Sequence, residues 1–116
     1  MVLIIGGAWQ GKLTCATERY GLRQEECLDL AERDPVPGYR CYYHLEAWTK
    51  RCEAPAEQLE LFRDAIVISR EIGSGVVPME QEDRFWRERH GRFLRVLSCE
   101  AEQVLRVFCG LTEVLK

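Results

Sequence analysis

The sequence predicts an α/β protein built in three layers, with helices on both faces of a mostly parallel central sheet. Three observations carry this expectation. Two nearly continuous apolar runs, VLII at residues 2–5 and AIVIS at 65–69, are short and lack polar alternation, so each reads as a strand buried on both faces. A third run, VLRVFC at 104–109, lies toward the other end of the chain. The stretches between them have helical spacing and carry no hairpin signal, and strands that alternate with helices form parallel sheets.

Taken in order, the first strand stops at Gly6-Gly7, and residues 12–20 have helical character up to Gly21, a C-terminal cap. Residues 22–33 are charged and ambiguous, and read as a second helix around the short apolar piece 27–30. Asp34-Pro35-Val36-Pro37-Gly38 is the clearest turn in the sequence. A strand is expected at 39–43, a short helix at 44–52, and a further helix at about 55–64 with Leu59 and Phe62 facing inward. After the strand at 65–69 comes a glycine-rich segment. A helix then follows over 80–98, with Trp86, Phe93 and Leu97 on one face and Gly91 interrupting it. The last strand ends before Gly110. Without repeats, linkers or low-complexity segments, residues 1–116 read as one domain.

Composition narrows the functional classes. The chain has 116 residues, 47% hydrophobic and 30% charged, with a net charge of −3. A globular chain of this size buries roughly two-thirds of the surface its unfolded form exposes, enough for a core without covalent staples. The weak negative charge gives no general pull toward nucleic acid or anionic membrane, so neither is an expected partner. The apolar runs fall far short of the ~20 residues of a membrane-spanning helix. Residues 1–5 are too few for a signal peptide, and a cytoplasmic location is expected. The six cysteines, at 15, 27, 41, 52, 99 and 109, form no CxxC pair. They read as reduced thiols acting as small apolar residues, with little in their spacing to support a zinc site.

The strongest chemical signal is Gly6-Gly7-Ala8-Trp9-Gln10-Gly11-Lys12, the spacing GxxxxGK, set between a buried strand and a helix. Glycines let the backbone curl so that successive N–H groups converge on a phosphate, and the helix N-terminus adds positive potential. Lys12 would reach the outer phosphates of a nucleoside triphosphate as a point charge. This predicts a P-loop, with residues 6–12 and Thr14 as the nucleotide-binding set. The bland alternative is a tight turn followed by a solvated lysine. Such loops normally continue with Ser or Thr, whose hydroxyl binds magnesium. Here that place holds Leu13, whose isobutyl group is expected to pack toward the core. Thr14 comes one residue late, turned by ~100° around the helix.

The second signal is Ser69-Arg70-Glu71-Ile72-Gly73-Ser74-Gly75-Val76-Val77-Pro78. An acid just past a buried strand lies where open α/β sheets gather their ligands. Glu71 is therefore a candidate catalytic residue with Lys12, as a base or as a magnesium holder through a water; otherwise it is an exposed loop acid. The strands at 2–5 and 65–69 should be parallel neighbours, with both glycine loops leaving the same edge. Gly73, Gly75, Pro78 and Arg84 form a candidate substrate loop. Arg84 and Arg87 are placed to meet a phosphate or to form a solvated helix face, and Trp9 and Gln10 sit at the loop tip.

Together, LIIGGAWQGK at 3–12, VISREIGSGVVP at 67–78 with Arg84, Arg87 and Gly91 after it, and AEQVLRVFCGLTEVLK at 101–116 resemble the cobinamide kinase / cobinamide-phosphate guanylyltransferase family. In that family a phosphate loop opens the chain, a central strand ends in Asn-Glu-Val-Gly-x-Gly-Ile-Val-Pro, and the final strand ends in a Gly-Leu-Pro-like turn. The resemblance covers roughly half the chain. It implies a P-loop α/β fold and use of ATP or GTP with Mg2+. It further implies phosphorylation of the aminopropanol hydroxyl of cobinamide or a related corrinoid, then GMP transfer, in the assembly of adenosylcobalamin in the bacterial cytoplasm. A homo-oligomer is also implied.

This chain departs from the family between about residues 21 and 65, where it is shorter. That region normally carries the His that accepts GMP and an Asp that assists the metal. His44 is the one histidine there and reads as a structural or surface residue, and His90 has weaker claims. Arg70 replaces an Asn, and Leu94-Arg95 replace an Asn-Gln pair. The kinase step is thus better supported than guanylyl transfer. Two alternatives stay open: a non-catalytic nucleotide- or corrinoid-binding relative that has lost magnesium chemistry, and a structural subunit that needs a partner chain.

Overall fold

Strand β1 (Val2–Gly6) is the sheet's central element, and its residues show why. Leu3 and Ile4, adjacent and pointing to opposite faces, are both fully buried. The computed structural model describes residues 1–7, 11–72 and 80–116. Within them the chain continues through α1 (Lys12–Tyr20), β2 (Cys27–Asp29), β3 (Cys41–Tyr43), α2 (Leu45–Arg51), β4 (Ile66–Arg70), α3 (Gln81–Glu100), β5 (Gln103–Phe108) and β6 (Leu111–Val114). The sheet order is β2-β3-β4-β1-β5-β6. Every neighbouring pair is parallel except β5–β6. The protein is α/β with a mostly parallel sheet, as the apolar runs predict.

Each face of the sheet has its own core. On one side Leu3, Tyr42, Val67 and Val104 pack with Leu45 and Trp48 of α2, with Phe93 and Leu97 of α3, and with Phe62. Four aromatic rings interlock there: Tyr42–Phe62 at 5.3 Å, Trp48–Phe62 at 5.6 Å, Trp48–Phe93 at 6.0 Å and Phe62–Phe93 at 6.1 Å between centroids. Such pairs add roughly 0.5–1.5 kcal/mol each beyond their buried area. On the other side Ile4, Ile66, Ile68, Leu105 and Val107 pack with Ala16 of α1 and with Leu22. All six cysteines are free thiols.

Four local expectations need correction. Residues 22–33 hold no α-helix: a short 3-10 turn, Gln24–Glu26, leads into β2. The apolar piece that looked like the centre of a helix instead pairs in register with β3, Cys27 opposite Cys41 and Leu28 opposite Tyr42. Residues 55–62 form 3-10 turns, with Phe62 inward as expected. A hairpin follows β5, because Cys109 and Gly110, with φ of 50° and 77°, reverse the chain into β6. Two consecutive positive φ angles match the right-handed strand twist. Finally, Leu13 is 36% exposed on α1 and does not enter the core.

Candidate functional site

The parallel registers bring three strand ends together. Gly6 lies opposite Arg70 of β4 on one side and Val107 of β5 on the other. One residue further, the Glu71 N–H donates to the Gly6 carbonyl at 2.9 Å. The segments after β1 and β4 therefore leave side by side from the carboxyl edge of the sheet, where open α/β sheets collect ligands. Position 6 tolerates no side chain: a Cβ there would sit 2.5 Å from the Val107 carbonyl oxygen.

Gly11 caps α1 with φ 84°, a left-handed conformation suited to glycine. Lys12 follows as the first helical residue, and its Nζ folds back to donate to the Gly7 carbonyl at 2.6 Å. Partial burial pushes the Lys12 pKa down. Glu46 opposes that shift most, Arg70 adds to it, and Glu71 opposes it more weakly. The ammonium thus lies at the start of α1 against the end of β1, held by the Gly7 carbonyl. Thr14 is exposed, one residue beyond the exposed Leu13. Ala8, Trp9, Gln10, Gly73, Gly75 and Pro78 lie outside the described residues.

Glu46 is the residue that sequence reading missed. After β3 the backbone turns through His44, at φ 59° and ψ 44°, directly into α2. His44 itself is exposed, with Nδ1 2.7 Å from Asp29 Oδ1. This turn brings Glu46 to the end of β4, where its Oε1 accepts the Arg70 N–H at 2.8 Å. Glu71 Oε2 lies 3.7 Å from Arg106 Nη2 on β5. Nothing in the local sequence marks Glu46, a first-turn acid in a charged helix; only the tertiary crossing of α2 over β4 does.

Beneath this edge lies a buried polar chain. His90, Thr49 and Ser69 are all fully buried. His90 bridges the other two, with Nδ1 2.8 Å from Thr49 Oγ1 and Nε2 2.9 Å from Ser69 Oγ. Ser69 Oγ donates on to the Arg70 carbonyl at 3.1 Å, and Trp86 Nε1 donates to Thr49 Oγ1 at 3.2 Å. In the neutral tautomer whose Nε2–H donates to Ser69, Nδ1 is left to accept from Thr49, whose hydroxyl also lies 3.2 Å from the Glu46 carbonyl. Burial pushes the His90 pKa down to about 4. His90 ties α3 and α2 to the end of β4. Arg84 stands on the exposed side of α3.

The family model described as cobinamide kinase / cobinamide phosphate guanyltransferase matches residues 30–115. The chain belongs to this family. The match takes in Glu46, Glu71, Arg84 and His90, while residues 6–12 precede it. No curated protein matches the sequence significantly. Among the described residues no helix is long and apolar enough to cross a membrane, and no three His, Cys, Asp or Glu side chains converge as a metal site.

Proposed function

We propose that residues 1–116 form a single P-loop nucleotide-binding domain that phosphorylates cobinamide, or a related corrinoid, in adenosylcobalamin assembly in the cytoplasm. The observation that carries this reading is the placement of Lys12 and Glu71 on one sheet edge, joined through the Glu71–Gly6 hydrogen bond at 2.9 Å, in a chain of this family. In the reaction Lys12 exchanges the Gly7 carbonyl for an outer phosphate oxygen of ATP or GTP. The acceptor hydroxyl oxygen bonds to the γ-phosphorus, the bond from that phosphorus to the bridging oxygen breaks, and the nucleoside diphosphate leaves. The hydroxyl proton passes to Glu71. Phosphoryl transfer needs little covalent chemistry from the protein, and positioning and charge neutralisation supply most of it.

The donors present fit a magnesium ion that arrives on the nucleotide better than a resident one. Leu13 offers no oxygen and Thr14 faces solvent; among the described residues Glu71, acting through a water, is the proposed contribution. Such an ion would neutralise phosphate charge. Guanylyl transfer is left out of the proposal: His44 is held by Asp29 and His90 is buried. The exposed Leu13 favours a second reading, a nucleotide- or corrinoid-binding relative without turnover.

Calorimetric titration with ATP and GTP, with and without Mg2+ and cobinamide, tests the first reading beside an assay of cobinamide phosphorylation. Lys12→Ala should weaken triphosphate binding by about 1–3 kcal/mol, the range for losing a charged hydrogen-bond partner. Equal affinity in the two proteins, or no binding by the parent, sinks the phosphate-loop reading. Binding without phosphorylation selects the non-catalytic one.

A further inference from the structure

The outer face of α3 is strongly basic and has no partner in the function proposed above. Its inner face carries the buried His90, Phe93 and Leu97. On the opposite side Arg84, Arg87, Glu88, Gly91, Arg92 and Arg95 line a groove of ≈ 400 Å³. The spacing is that of one helical stripe, and Gly91, having no side chain, forms its floor. Arginine outnumbers glutamate along this groove, on a chain whose net charge is −3. Elsewhere Arg23, Arg40, Arg51, Arg63 and Arg106 each have a carboxylate within 4 Å. Arg84, Arg92 and Arg95 have no ion-pair partner among the described residues. Even Glu88, one turn from Arg84 and from Arg92, is not within ion-pair distance of either. Arg95 also stands where the resembling family carries an uncharged Gln.

We propose that this groove is a second anion site, additional to the one at residues 6–12, which takes a chain of several phosphates laid along α3. The guanidinium fork suits phosphate oxygens, which it can hold in pairs. From Arg84 to Arg95 the helix rises ~16 Å at 1.5 Å per residue, too far for one phosphate to bridge and suited to an extended oligophosphate. The groove begins in the first turn of α3 and runs along the helix toward Arg95. Its ligand is a free oligophosphate or the phosphate tail of a nucleotide.

The test uses the full chain carrying Lys12→Ala, which disables the glycine-loop lysine, titrated with inorganic tripolyphosphate, with orthophosphate and with ATP at low salt. Tripolyphosphate should still bind, at least tenfold more tightly than orthophosphate. Adding Arg92→Gln and Arg95→Gln, both exposed and outside the core, should weaken it tenfold or more. ATP binding no tighter than tripolyphosphate would assign the recognition to the phosphates alone; much tighter ATP binding that survives the arginine changes would overturn the site. The proposal also fails if Lys12→Ala abolishes tripolyphosphate binding, if orthophosphate binds equally well, or if the double arginine change has no effect. The glycine-loop reading is judged separately, by the effect of Lys12→Ala on ATP in the Arg92→Gln/Arg95→Gln background.

Discussion

A methyl group at position 6 has nowhere to go, since the Val107 carbonyl stands 2.5 Å from where it would lie and belongs to the next strand. Gly6→Ala should therefore spread β1 from β5 and destabilise the protein by about 1–3 kcal/mol, the usual range for overpacking, read from urea midpoints. His90 makes a pH-dependent contribution whose sign is fixed by its burial. Its pKa is lowered from 6.5 to about 4, so between those values the unfolded chain takes up a proton that the folded chain refuses. Stability is then full above pH 6.5 and falls as pH drops toward 4, by up to about 3 kcal/mol. Urea midpoints over this window should show that slope in the parent and a flatter one in His90→Asn, whatever the carboxylates add to both. Leu13→Ser should leave stability within about 0.5 kcal/mol, because the side chain it replaces is already exposed. If a missing hydroxyl is the sole defect in metal binding, the same variant should raise cobinamide phosphorylation. A stably folded Leu13→Ser protein that binds nucleotide without turnover would instead support the non-catalytic reading. At this scale the placement of Lys12 and Glu71 at one sheet edge was legible, because a glycine-bounded strand end points to each. Glu46 and the inward-facing His90 were not, because their roles arise where α2 and α3 cross β4.

Elements with a strong periodic signal were legible and the weak ones were not. VLII and AIVIS are buried on both faces because their strands lie inside the sheet, and such runs cannot easily form anything else. Helices α1 and α3 begin and end close to where their glycines and apolar stripes place them. Strand β2 escaped because only three residues pair, in a charged context that favours a helical reading. Strand β6 escaped because all four of its residues are exposed, so no buried face imposes an alternation. Its turn is Cys109-Gly110 in place of the Asn-Gly that usually announces a two-residue hairpin. The positive φ of 77° at Gly110 makes Gly110→Ala a clean probe of that turn. The substitution should destabilise the protein by roughly 1–2 kcal/mol, the penalty for a Cβ in the left-handed region, with the same midpoint measurement as readout.

Among the described residues the two cores lie on opposite faces of the sheet, and the sheet is held together at β1. Strand β5 supplies Val104 to one core and Leu105 and Val107 to the other. A chain truncated after Ala101 should consequently lose its cooperative urea transition, whereas one lacking only the exposed residues 111–116 should keep a cooperative transition at a lower midpoint. The central position of β1 also bears on how the protein is made. Val2 pairs with Ile66 and with Gln103, so β1 leaves the ribosome before its partners and waits for strands about 60 and 100 residues downstream. At roughly 5–20 residues per second the second wait lasts about 5–20 s. During that time an apolar strand with two bare edges is open to chaperones and to other nascent chains, so the yield of native protein depends on translation speed and crowding as well as on final stability.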